Sequence, residues 1–186
     1  MAVALGFAIA TPGCGGGGGA SSAATAPDPA GEARAIIDAA TTFDRAARGH
    51  QAELRRELVT LDRRLPGQAE RGSRALGAAV LTSLQGVARV LAPDLQALAD
   101  RLAAMDPHDP SLRDGVAALL RTIRGTLEFR EVDLGAPGGE DRAQELIGLS
   151  LADRTAIGAM VGRMKALGVS EEQLAALRLV VFDVGR

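Results

Sequence analysis

Two residues one helical turn apart, His50 and Glu53, are the best candidates for a chemical role in this sequence. His50 lies in a run of apolar residues spaced three and four apart, so both side chains should face one side of a helix. An imidazole and a carboxylate on a shared interior face can bind a metal ion or exchange a proton. The alternative, which we favour, is a hydrogen-bonded boundary histidine next to the helix-weakening Gly49.

A second histidine, His108, lies between two Asp-Pro pairs in the segment 106–110. Its imidazole and the carboxylates of Asp106 and Asp109 could form an oxygen-rich cation site. Asp and Pro are also the residues that tight turns between helices use. The sequence therefore favours an interhelical turn, with Asp109 or Ser111 capping the following helix.

The sequence lacks the common catalytic constellations. It has no HExxH, no Glu-x-x-His and no GxxxxGK[ST] motif, which excludes the usual zincin, di-iron bundle and P-loop signatures. The single cysteine, Cys14, lies in a glycine tract with no base nearby in sequence, and a lone cysteine cannot build an intramolecular disulfide framework. We predict a protein that is not an enzyme and needs no cofactor.

The first 30 residues differ in composition from the rest. An uncharged apolar run at 1–10 is followed by a short segment ending in Cys14, by five glycines and by an Ala/Ser/Pro-rich stretch. This order resembles the signal peptide of a bacterial lipoprotein, in which the cysteine is lipidated. The resemblance implies a membrane anchor on Cys14, a disordered tether within residues 1–30, and an envelope location facing the periplasm or the exterior.

The apolar run is too short to span a bilayer, which needs about 20 residues. No other uncharged stretch of that length occurs, so we predict that the protein is not integral to a membrane. The alternative is an N-terminal tail in which Cys14 has no role, and then the expected location is cytoplasmic.

Composition predicts a helical fold. Apolar residues make up 47% of the chain but aromatic residues only 2%, and alanine and leucine are the commonest apolar types. Such a chain favours helices over strands. The formal net charge of −2 provides no basic field for nucleic acid. We predict an all-α protein with no nucleic-acid partner.

Apolar spacing predicts the helices that would position these residues. Steps of three and four run over 33–65, and Pro66-Gly67 is predicted to end that helix. A second periodic stretch covers 76–105, with a kink or restart expected at Pro93. Two stretches of similar length joined by a short turn predict a long antiparallel N-terminal hairpin and an elongated bundle.

The remainder of the chain predicts shorter helices with capping residues at Ser150 and Ser170. The last segment, 171–183, is also predicted as a helix, although its Leu-Val-Val-Phe end is compatible with a strand. We therefore expect one domain over residues 31–186, with about four to six helices. The shorter predicted helices cover 112–127, 141–149 and 151–167.

Arginines cluster on the outer side of the predicted hairpin. These candidates for partner binding are Arg45, Arg48, Arg55, Arg56, Arg63 and Arg64. Acidic residues lie between them, so residues 32–74 contain nine arginines against seven acidic residues. A solvated charged face is therefore a simpler interpretation than a docking site.

Two short segments near the C-terminus resemble known families. Residues 164–170 are similar to the turn of a helix-turn-helix motif, but Glu171 and Glu172 would meet DNA with the wrong charge. Residues 149–153 and 169–173 are degenerate versions of the LTxxQ signature of small periplasmic chaperones of the Spy and CpxP type. That resemblance implies a chaperone-like bundle, whereas helix capping explains both segments without it.

The leading hypothesis from the sequence is a non-enzymatic helical protein, anchored in the envelope, that binds or scaffolds a protein partner. One alternative is a soluble sensor or regulator that binds a metal ion or small ligand at His50. Two others are a periplasmic chaperone-like bundle and a DNA-binding protein that uses the turn at Gly168. The oligomeric state stays open, because the seam at 33–65 can close within one chain or across a dimer.

Overall fold

A computed structural model describes residues 28–69 and 72–180. All regular structure within these residues is helical, which confirms the predicted all-α bundle. Within the described residues there are seven helices. Only His50 separates α1 from α2, so these two can be counted as one interrupted helix. The count is then six, the upper end of the predicted four to six. The helices are α1 (Pro29–Gly49), α2 (Gln51–Ala69), α3 (Ser73–Ala103), α4 (Pro110–Phe129), α5 (Gly139–Ile147), α6 (Leu151–Ala166) and α7 (Glu171–Val180).

The long N-terminal hairpin is present, with α3 packed antiparallel to α1 and α2. His50 lies beside Asp94, whereas Glu57, further along the chain, lies against the earlier residue Gly86 of α3. The two sides of the hairpin therefore run in opposite directions. With 31 residues, α3 is about 46 Å long at 1.5 Å per residue, so the bundle is elongated.

The prediction of one continuous helix over 33–65 is wrong at His50. This residue separates α1 from α2 and has φ −93° and ψ 11°. Gly49 weakens the helix locally, because it has no Cβ. The side chain of His50 is also held by Asp94 of α3 and Glu53 of α2. The helix is therefore interrupted at His50 because Gly49 weakens it locally and because Asp94 of α3 holds the His50 side chain.

Neither proline in the hairpin ends its helix. Pro66 lies inside α2, which continues to Ala69, so the predicted stop at Pro66-Gly67 is wrong. Pro93 lies inside α3, and the helix does not restart there. A proline removes one backbone hydrogen bond and crowds the preceding turn. Packing of α3 on both sides of Pro93 offsets that cost, and only the last turn of α2 follows Pro66.

The main core lies between α1, α3, α4, α6 and α7. The apolar residues of the predicted seam that lie on α1, from Ala33 to Ala47, are buried, and so are most apolar residues of the predicted helix over 112–127. The largest fully buried side chains of this core are Ile36, Leu95, Leu102, Leu112, Leu119, Ile123, Met160 and Met164.

A second, smaller core joins the middle of α3 to the end of α4 and to α5. It contains Leu81, Ala88, Phe129 and Ala143. Beside it, the buried Gln85 donates hydrogen bonds to the carbonyl oxygens of Phe129 and Val132, at 2.9 and 2.8 Å. A side chain of α3 therefore satisfies backbone groups at the C-terminal end of α4, which a helix leaves unpaired.

The predicted helix caps are present. Asp109 accepts hydrogen bonds from the first turn of α4, Ser150 accepts one from the backbone of α6, and Ser170 exchanges two with Gln173. Gly168, with φ 88°, forms the left-handed turn between α6 and α7. The last predicted segment is helical up to the end of α7, and its remaining residues lie outside the described ones.

The stretch Ala75–Ala103 of α3 is long and apolar enough, by length and composition, to cross a membrane. It contains Asp94, which contacts His50, and it packs against α1, α2, α4 and α5. We interpret it as the central helix of the bundle, since a buried core helix has the same composition.

Candidate functional site

His50 lies at the junction of α1 and α2 and faces α3. Its Nδ1 is 3.1 Å from Glu53 Oε2, and its Nε2 is 3.1 Å from Asp94 Oδ2. The first contact is a hydrogen bond. The second has the distance of an ion pair but not the geometry of a hydrogen bond, so Asp94 Oδ2 is buried without a hydrogen-bond donor in the described part of the chain. A protonated imidazole suits both carboxylates, because both of its nitrogens then carry protons.

These contacts raise the pKa of His50 above its ordinary value. The hydrogen bond to Glu53 is the largest cause, partial desolvation opposes it, and the charge of Asp94 adds to it. The folded protein therefore favours the imidazolium form more strongly than the unfolded chain does.

This geometry gives no support to a metal ion at His50 and Glu53. A metal ion takes the lone pair of a neutral imidazole, whereas the two carboxylates at His50 favour its protonated form. Within residues 28–69 and 72–180, no cluster of three or more His, Cys, Asp or Glu side chains is arranged to hold a metal ion.

A small cleft opens beside this contact, between α1 and α3. Its volume is about 160 Å³, and Asp94 forms part of its wall. That volume is below the range of about 300–1,000 Å³ that is usual for small-molecule sites. The other lining residues are Ala39, Thr42, Phe43, Ala46, Ala97, Leu98 and Arg101.

The stabilisation from His50 is expected to depend on pH. Because the pKa of His50 is raised in the folded state, its contribution is complete below the unfolded pKa of about 6.5 and is lost as pH rises through the folded value. His50→Gln should therefore destabilise the protein more at about pH 5.5 than at about pH 9. Urea unfolding of both proteins at the two pH values measures this, and an equal difference at both would contradict it.

His108 lies in the turn between α3 and α4 and is held by Glu32 of α1. Glu32 Oε1 accepts a hydrogen bond from the backbone N–H of His108 at 2.9 Å and also lies 3.0 Å from Nδ1 of the His108 ring. Glu32 Oε2 accepts a hydrogen bond from the backbone N–H of Asp109 at 3.3 Å. Asp109 in turn binds Arg163 Nε at 2.6 Å. The cluster joins α1, α4 and α6, and the described residues show no metal centre there. The favoured turn-and-cap interpretation of His108, Asp106 and Asp109 thus fits the structure.

The carboxylates of this cluster should make the protein sensitive to acid. The pKa of Glu32 is lowered, mainly by the backbone N–H of His108, and that of Asp109 is lowered, mainly by Arg163. Their stabilisation is present above the unfolded pKa values of about 4 and is lost as pH falls through the lower folded values.

Two substitutions at Asp109 should separate its two contributions. Asp109→Asn keeps an acceptor for the helix cap but removes the charge that faces Arg163, whereas Asp109→Ala removes both. At neutral pH we expect the alanine variant to be less stable than the asparagine variant by about 0.5–2 kcal/mol. Both should show a smaller loss of stability between about pH 7 and pH 3 than the unchanged protein. An acid dependence identical to that of the unchanged protein would contradict the assignment.

We define the distal arm of the hairpin as residues 51–67 of α2 and 73–80 of α3. No described side chain of this arm is fully buried. Its leucine seam is only partly covered within the described chain, and Leu58 is 59% exposed. Glu57 of α2 lies against Gly86 of α3, in the space that a side chain at Gly86 would need. A carboxylate therefore takes part of the face on which the two helices meet.

All six arginines predicted as partner candidates are exposed. Arg48 pairs with Asp44 of the same helix at 2.6 Å. Those of the distal arm, Arg55, Arg56, Arg63 and Arg64, have no ion pair within the described residues. They form the outer rim of the arm beside its exposed apolar side chains.

The turn that resembles a helix-turn-helix is used for packing. Leu174 and Leu177 of α7 are buried in the main core, and α7 packs on α1. Glu171 and Glu172 at the start of α7 are exposed, and Glu171 pairs with Lys165 at 2.5 Å. An acidic, partly buried helix offers no complementary surface to DNA phosphates.

Some expectations concern residues that the structure does not describe. Cys14 and residues 1–27 lie outside the described ranges, so the predicted lipid anchor stays a prediction. Within the described residues the first helix begins at Pro29, close to the expected domain boundary at residue 31.

Sequence reasoning missed the long-range partners of both histidines and of Asp109. Asp94, Glu32 and Arg163 are distant in sequence from the residues that they contact. Asp94 carried a usable signal, because it directly follows Pro93 on the apolar side of a predicted helix. For the other two, charge type and spacing gave no indication of the partner.

In comparisons with known proteins, the chain matches no family model, no curated protein and no solved structure.

Proposed function

We propose that this protein is a non-enzymatic, envelope-anchored helical protein whose distal arm binds or scaffolds a protein partner. The anchor in this proposal is a lipid on Cys14, supported by the lipoprotein-like order of residues 1–30. The binding element is the arm, supported by its structure.

The observation that carries the binding role is the apolar surface of the arm. Two of its adjacent side chains, Leu58 and Val59, are 59% and 41% exposed. Neither belongs to the two buried cores of the described residues. Large exposed apolar side chains grouped together and rimmed by charges are typical of protein interaction surfaces.

The arrangement of the bundle supports the combination of anchor and arm. Glu32, near the start of α1, contacts the loop that follows α3, whereas the distal arm contains the first residues of α3. The start of α1 and the arm therefore lie at opposite ends of a helix about 46 Å long. An anchor that precedes α1 would hold the arm away from the membrane.

The anchor is tested by the fate of Cys14. The gene is expressed with its native upstream DNA, and the intact mass of the protein from the membrane fraction is compared with that of a Cys14→Ser variant. We expect a chain that begins at Cys14 and carries a diacyl or triacyl group, and no such species from the variant. An unmodified soluble chain that begins at or before Met1 would overturn the anchor.

The binding role is tested by photo-crosslinking in cells. A photo-reactive amino acid is placed at Val59, and a matched control carries it at Arg113, which is exposed on α4. We expect a crosslinked species at position 59 and none at position 113. The absence of an adduct at 59, or equal adducts at both positions, would overturn the arm as the binding element.

A further inference from the structure

The exposed face of α2 has a pattern that complements itself. Arg55, Leu58, Val59 and Asp62 follow the spacing i, i+3, i+4 and i+7, which places them on one side of a helix. All are exposed. Arg55 precedes the apolar pair by three residues, and Asp62 follows it by three. Opposite charges therefore stand at equal distances on either side of an apolar centre.

Nothing within the described chain uses this pattern. Neither Arg55 nor Asp62 has a hydrogen bond or ion pair in the described residues. The principal contacts of α2 are with α3, and α1 adds a few near His50. The face that includes Val59 points away from these helices, since it is more exposed than the seam residues Leu54, Leu61 and Leu65.

A twofold axis between Leu58 and Val59 would satisfy the whole pattern with a second copy of the chain. In an antiparallel pair, Leu58 of one copy meets Val59 of the other, and Arg55 of each meets Asp62 of the other. A twofold interface uses the same patch on both subunits. A parallel pair would place Arg55 against Arg55 and Asp62 against Asp62, which is repulsive.

We infer that the distal arm binds a second copy of this chain, through an antiparallel pairing of α2 centred on Leu58 and Val59 with reciprocal Arg55–Asp62 ion pairs. This rests on the binding role proposed for the arm and names its partner. Two hairpins joined in this way place four helices side by side, which is a common solution for covering half-exposed apolar seams. The patch is small, so the association is reversible and depends on salt.

The other exposed large apolar side chain in the described residues, Leu151, lacks these features. It is 81% exposed at the start of α6, beside a wide and open groove of about 770 Å³ lined mainly by alanine, threonine and serine. Asp114 is the only charged residue that lines it. Leu151 therefore serves as the matched control.

The test is analytical ultracentrifugation of the full chain carrying Cys14→Ser, which removes disulfide-linked dimers. We expect a monomer–dimer equilibrium. Arg55→Asp alone and Asp62→Arg alone should each raise the dimer Kd by about tenfold or more, since each single change places like charges together twice. The double variant Arg55→Asp/Asp62→Arg should return to within about threefold of the original Kd, because it restores both pairs in reversed order.

Three further measurements make the outcome decisive. Val59→Glu should abolish the dimer, Leu151→Glu should leave the Kd unchanged, and far-UV circular dichroism should show every variant folded. A monomer at all concentrations, or a double variant no better than the single ones, would overturn the inference. In the crosslinking experiment at Val59, an adduct of twice the chain mass supports this pairing. An adduct of another mass overturns the pairing while leaving the proposed binding role intact.

Discussion

Replacing Phe129 by alanine is expected to lower the free energy of unfolding by about 3–5 kcal/mol. Phe129 is the only aromatic member of the smaller core and is 1% exposed. Two of its partners there, Ala88 and Ala143, are too small to fill the space that its ring would leave. The loss therefore combines the transfer free energy of the ring with a cavity that cannot collapse.

Urea unfolding followed by circular dichroism measures this effect. Leu151→Ala is the control, because Leu151 is 81% exposed, and its change should stay within about 0.5 kcal/mol. A loss below about 1 kcal/mol for Phe129→Ala would show that the smaller core does not stabilise the bundle. The smaller core packs against the part of α3 that adjoins the distal arm. The variant should therefore also loosen the packing at the base of the arm.

Replacing Gly115 by alanine is expected to destabilise the protein by about 1–3 kcal/mol, although alanine is the better helix former by about 1 kcal/mol. Gly115 lies on α4 where α6 crosses it. A Cβ at this position would overlap the Cβ of Met160 and lie 2.8 Å from its Cγ. Met160 is fully buried and cannot move aside, so the two helices would have to separate.

Gly158→Ala is the matched control for this prediction. Gly158 lies on the exposed side of α6, and a Cβ there meets nothing within 4 Å. The substitution should stabilise the protein by about 0.5–1 kcal/mol, because only the helix propensity changes. Opposite signs for the two glycines in thermal or urea unfolding would support the close helix crossing. A gain of stability at both positions would contradict it.

Much of the fold follows from local patterns in the sequence. The helical class and the cap at Ser150 depend on residues within about four positions of one another, where helix propensity and hydrogen bonding act directly. The antiparallel hairpin was predicted from two apolar stretches of similar length joined by a short turn. The same applies to the final segment, whose helical form is confirmed up to Val180.

The candidate site was only half predictable. The sequence identified His50 and Glu53, and the structure confirms that they contact each other. It did not identify Asp94, which comes from another helix and places a second carboxylate at the other ring nitrogen of His50. The sequence left open whether the seam at Leu58 closes within one chain or across a dimer, and within the described chain Leu58 is 59% exposed.

By itself, the sequence determined that this chain forms helices, where most of them begin, and which faces are apolar. The tertiary structure decided that α1 and α2 part at His50, that α3 continues through Pro93, and that the seam of α2 stays partly exposed. The physical reason is one of range. Propensity and periodicity act over a helical turn, whereas breaks, ion pairs across helices and burial depend on which apolar face meets which partner.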